Sequence, residues 1–105
     1  MLEKYLQDLF KTMKLGDARE ESYYSDLKSL FESWSERNKK QISVTTLPKK
    51  TEAGNPDFRI WDGKEKIVGY IEAKDPKIEN LDSVEDSEQL KRYRDKFPNL
   101  VLTNF

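Results

Sequence analysis

The chain opens in a helical rhythm. Leu2, Leu6, Leu9, Phe10 and Met13 recur at three- and four-residue spacings, which predicts a helix over residues 2–14 with Gly16 as its C-cap. Asp17 then reads as an N-cap. A second helix is expected over about 18–37, with Tyr24, Leu27, Phe31 and Trp34 on its inward line and Tyr23 and Leu30 beside it. Asn38, Lys39 and Lys40 end it. The period then shortens to two. Ile42, Val44 and Thr46 alternate with Ser43 and Thr45, the mark of a strand. After a polar loop over 48–55, residues 58–61 and 66–74 read as two strands joined around Asp62-Gly63, a strong short-range hairpin signal. Residues 76–86 read as a loop anchored by Ile78 and Leu81. Residues 87–96 read as a helix with Leu90 and Tyr93 inward, broken at Pro98-Asn99, and residues 100–103 as a last strand. The order α-α-β-β-β-α-β predicts an α/β fold, a mixed central sheet with flanking helices. At 105 residues the chain is one domain. It stops just after its last strand, so it is expected to be the N-terminal part of a longer protein.

Composition narrows the chemistry more than the fold. Apolar residues make up 35% and charged residues 37%, a balance that on its own invites disorder. The five Phe, five Tyr and two Trp, however, fall on the periodic positions, which marks packed faces. The formal net charge of −1 gives no overall pull toward nucleic acid or membrane. There is no Cys, which excludes disulfides and thiolate metal sites and fits a cytoplasmic protein. There is no His, which removes imidazole bases, Ser-His triads and His-ligated zinc. No run approaches the roughly 18 apolar residues of a membrane span, and the acidic start MLEKYLQDLF is not a signal peptide. Catalysis, if present, rests on carboxylates, Lys, Arg and Tyr.

Within GYIEAKD, residues 69–75, strand alternation puts Glu72 and Lys74 on one face with Val68 and Tyr70, and Ile71 and Ala73 on the other. Such an acid–base pair is by default a solvated charge arrangement. The hairpin changes its setting. A turn centred on 62–64 pairs residue 57 with roughly 69–71 and brings Asp57 within reach of Glu72. Two converging carboxylates repel unless a cation such as Mg²⁺ sits between them. Asn55-Pro56-Asp57 is equally a turn former. Glu20 precedes Tyr24, Leu27, Phe31 and Trp34 by 4, 7, 11 and 14 residues, on the inward line of the second helix, while Glu21 falls about 100° away. The same Glu20 stands three residues after Asp17, the spacing of a capping box, and both readings stay open. Gln89 and Tyr93 share a face of the last helix amid Lys91, Arg92, Arg94 and Lys96. That helix either lies near phosphates or is a solvated basic helix with Leu90 and Tyr93 in the core. Lys49 and Lys50 either add positive charge near Asp57 or are ordinary surface lysines.

Pro56-Asp57, fourteen residues, then Glu72-Ala73-Lys74 resembles the signature of the PD-(D/E)xK nuclease superfamily. The αβββαβ order around it is similar to that superfamily's core, here preceded by an extra N-terminal helix. REESYYSDLKSLFE, GNPDFRIW, GYIEAKD and QLKRYRDKFPNLVLTN look like one branch of it. That branch is the N-terminal nuclease domain of type II and type I-like restriction–modification polypeptides, fused to an adenine-specific DNA methyltransferase. The resemblance covers about residues 17–105. It implies an endodeoxyribonuclease that uses Mg²⁺, with Mn²⁺ able to substitute, on double-stranded DNA. Methyltransferase and target-recognition domains would lie downstream in the same polypeptide. It implies Asp57, Glu72 and Glu20 as metal-binding carboxylates and Lys74 as the residue that positions water and stabilises phosphate charge. Gln89, Tyr93, Lys91 and Arg92 would lie toward DNA. A nuclease fold without activity, serving DNA binding or interaction, is the alternative, and a purely structural α/β domain is the third reading. Holliday-junction resolvases share the core.

Overall fold

The computed structural model describes residues 1–50, 54–64, 66–85, 87–97 and 99–105. The order is α1 (Leu2–Lys14), a 3-10 turn (Glu20–Tyr23), α2 (Tyr24–Arg37), β1 (Ser43–Thr46), β2 (Phe58–Trp61), β3 (Ile67–Ala73), α3 (Asp82–Glu85), α4 (Glu88–Lys96) and β4 (Leu100–Thr103). The α/β class and the predicted elements are present, with differences that each have a local cause. The second helix does not start at an Asp17 capping box. A 3-10 turn precedes it, in which the Arg19 N–H donates to Ser22 Oγ and the Ser22 N–H returns to the Arg19 carbonyl. The expected loop 76–86 contains the short α3, started by an Asx turn in which Asn80 Oδ1 accepts the Asp82 N–H at 3.0 Å. The C-cap of α1 is Leu15, and Gly16 follows it. Ser87 caps α4, its Oγ accepting the Leu90 N–H. The expected helix breaker Pro98 and loop residues 51–53 and 86 lie outside the described residues.

The four strands form one sheet in the order β1-β2-β3-β4, antiparallel except for the parallel pair β3/β4. α1 and α2 cover one face through Tyr5, Leu9, Tyr24, Leu27, Phe58 and Ile71. α4 covers part of the other through Tyr93 and Phe97, which pack on Tyr70. Gly69 sits where β4 begins. A Cβ there would stand 2.8 Å from the Asn99 carbonyl oxygen, so only glycine lets the chain approach.

The register of β2 on β3 decides the site. Ile60 faces Gly69, but Trp61 faces Ile67, so Val68 is an extra residue and β3 carries a bulge. Phe58 faces Ile71, and one further step sets Asp57 opposite Glu72. This corrects the expected pairing of 57 with 69–71, because a simple turn does not count the bulged residue. The bulge also corrects the face of Val68. It lines an apolar hollow of about 810 Å³ with Phe31, Trp34 and Ile60 on the α2 side, while Ile67 packs beside Tyr70. Trp34, expected inward, is 42% exposed at that hollow's rim, because the last turn of α2 runs past the apolar cover of the sheet.

Candidate functional site

Asp57 is delivered by the Pro56-Asp57 entry into β2 and is buried. Its carboxylate is clamped from two elements. Tyr24 Oη of α2 donates to Oδ1 at 2.6 Å, and the Ala73 N–H of β3 donates to Oδ2 at 2.7 Å. Glu72, on β3, is only 3% exposed. Its Oε2 accepts from Lys74 Nζ at 3.2 Å, whereas its Oε1 is buried with no hydrogen-bond partner. Lys74 Nζ also donates to Gln89 Oε1 at 3.3 Å, and Gln89 Nε2 donates to Tyr93 Oη at 3.3 Å. An acid, a lysine, an amide and a phenol are thereby strung from β3 to α4. Gly54 packs against that phenol: a Cβ there would meet the Tyr93 ring and hydroxyl at 3.1 Å, at a φ of +130°.

Burial pushes the Glu72 carboxyl up to about 7, aided by the charge of Asp57 and opposed by Lys74. Glu20 is half-buried, and its carboxyl is also raised. Burial is the main cause and the Asp57 charge the next, while Lys74 and a hydrogen bond from the Asp75 backbone act in the other direction. Burial and the bond to Asp57 hold the Tyr24 phenol far above its ordinary value. The electrostatics therefore describe carboxyls raised first by burial and second by the charge of Asp57, with Lys74 opposing. Among the described residues, no three acidic side chains converge closely enough to hold a metal ion between them as they stand.

The structure brings together Asp57, Glu72, Lys74, Gln89 and Tyr93, with Glu20 facing them electrostatically. Between the two helix acids, Glu20 is the half-buried one and Glu21 is exposed. Lys91 and Arg92 lie on the exposed side of α4, and Lys49 and Lys50 are exposed on their loop. Tyr93 is 1% exposed, so it supports Gln89 from within the core and is not a surface for DNA. Tyr24 went unassigned to the site in sequence because it sat in an apolar line. The available signal was its hydroxyl, which needs an acceptor once buried. No described helix is long and apolar enough to cross a membrane. No protein-family model, no curated protein and no solved structure matches the chain.

Proposed function

We propose that the chain is a metal-dependent endodeoxyribonuclease domain of the PD-(D/E)xK type, belonging to a restriction–modification polypeptide with downstream methyltransferase and target-recognition domains. The observation that carries this reading is the buried Oε1 of Glu72, without a partner and beside the Asp57 carboxylate. Without a cation such a carboxyl takes up a proton, which is what its raised proton affinity beside Asp57 describes, and a bound cation would take that proton's place. Hard oxygen donors with unrelieved mutual repulsion fit Mg²⁺ or Mn²⁺, with Asp57 and Glu72 holding the ion and Glu20 completing the outer side. When bound, the ion would supply an activated water and neutralise charge on the scissile phosphate.

The chain's own residues do the rest. Tyr24 and the Ala73 N–H fix the Asp57 carboxylate in one orientation. The Lys74 ammonium, held between Glu72 and Gln89, holds the water and faces the negative charge that develops as the phosphodiester is attacked. Gln89, braced by Tyr93, keeps that ammonium aimed. One specific observation favours the second reading, an inactive nuclease-fold module for DNA binding or interaction: both Asp57 oxygens already accept hydrogen bonds. Each oxygen keeps a further lone pair, so the two readings divide on activity. The test is nicking of plasmid DNA with Mg²⁺ or Mn²⁺. The parent chain should cleave, and Glu72→Gln, which keeps the shape and removes the charge, should lose at least ~100-fold while staying folded. A folded parent that neither cleaves nor binds Mn²⁺ by calorimetry sinks the nuclease reading and leaves the module.

A further inference from the structure

One cation near this site is unused by the reading above. Arg59, the second residue of β2, faces Tyr70 of β3 across the ladder. Its guanidinium carbon stands 5.6 Å from the Tyr70 ring centroid and 5.8 Å from that of Trp61. Trp61 is itself held by a bond from its indole N–H to Thr45 Oγ1, so the guanidinium is braced by two rings. Among the described residues it makes no hydrogen bond or ion pair, and its Nε is buried with no partner. A guanidinium has no other protonation state to retreat to. The buried Nε is out of reach from outside, so an outside acceptor would meet this braced cation at its two Nη groups, which have no acceptor among the described residues.

Its position says which acceptor. Tyr70 lies two residues before Glu72, and Asp57 two residues before Arg59. The Arg59–Tyr70 pair thus stands one same-face step, about 7 Å, along the sheet from the carboxylates. That is a span one nucleotide of a strand can bridge. The planar fork of Arg matches two phosphate oxygens. We infer that Arg59 is a backbone contact of this site, binding the phosphate next to the one that is cut; the inference rests on the nuclease reading.

The test uses the full chain carrying Glu72→Gln, so that bound DNA is not cleaved. Duplex affinity is measured over a NaCl series with Arg59, Arg59→Lys and Arg59→Gln. Arg59→Gln should weaken binding several-fold for any sequence and lower the salt slope by about one. Arg59→Lys should keep the slope and recover only part of the affinity. In the folded Arg59 chain, the Nε–H resonance of Arg59 should shift when duplex is added. Unchanged affinity and slope in Arg59→Gln overturns the inference, and so does an unmoved Nε–H resonance if that variant fails to fold. If the unmutated chain cleaves DNA while Arg59→Gln binds like its parent, the nuclease reading stands and the arginine contact alone is wrong. If the unmutated chain neither cleaves nor binds duplex, both fall.

Discussion

The two faces of β3 are made by one run of residues in alternation, yet they obey different rules. On the α1/α2 face, Ile71 and Ala73 are buried with Phe58, Tyr24 and Leu27, and apolar burial there is stabilising without condition. On the α4 face, Glu72 is buried as deeply, but one of its oxygens has no partner and its neighbour Asp57 raises its proton affinity. A carboxylate in such a place lowers the stability of the metal-free fold. One face holds the domain together, and the other carries buried acids beside a lysine, which is the arrangement on which the proposed function rests.

The contrast breaks first on the apolar face. Phe58 is fully buried and packs against Tyr24 with tilted rings whose centroids are 4.8 Å apart. Phe58→Ala should lose about 3–5 kcal/mol, a large part of a small domain's stability, and read out as a collapsed urea midpoint. The opposite sign is expected across the sheet. With Glu72 raised from its usual range to about 7, its favourable contribution is fully present below the unfolded value near 4.5 and is lost as pH rises through about 7. In EDTA the domain should therefore weaken between those values by up to about 3 kcal/mol. The raised Glu20 acts in the same direction. Glu72→Gln should flatten that decline and be more stable than the parent above pH 7, measured by thermal unfolding across the pH series. A parent whose stability rises over that window would show that Glu72 is ion-paired in a purely structural way.

Smaller effects sharpen the comparison where the faces meet. Tyr24 belongs to the apolar core by its ring and to the site by its hydroxyl. Tyr24→Phe should cost about 1.5–3 kcal/mol through the lost bond to a charged acceptor, and should loosen Asp57 enough to weaken Mn²⁺ binding in calorimetry. Loss of stability with unchanged metal affinity would confine Tyr24 to the core. Least of all, Trp34→Ser at the open rim of the apolar hollow should cost about 1–2 kcal/mol, since the residue is already 42% exposed. A larger drop in chemical denaturation would mean that the hollow is closed over by the rest of the fold.

Local pattern was enough for the elements. The three-and-four spacing of α1, the alternation of β1 and the Asp-Gly turn each carry their own secondary structure within a few residues, so they could be read one window at a time. A hairpin and a strand period of two are short-range rules, and they suffice to bring Asp57, Glu72 and Lys74 together, while Gln89 is joined to them only by the resemblance. Three things escaped. The Val68 bulge escaped because alternation does not announce an inserted residue. The depth of Glu72 escaped because it depends on α4 packing over β3, a parallel crossover away. The duty of Tyr24 escaped because a phenol in an apolar stripe looks like core until its acceptor is known.

What the residues by themselves determined is the helix and strand order, the absence of imidazole and thiol chemistry, and that a polar site can draw only on acids, Lys, Arg and Tyr. Those follow from local backbone preference and from which side chains exist. Only the tertiary structure decided that Asp57 stands opposite Glu72, that one carboxylate oxygen is buried without an answer, and that Arg59 lies braced between two rings a step away. Register, burial and the meeting of distant segments are properties of the packed sheet, and no stretch of the chain carries them alone.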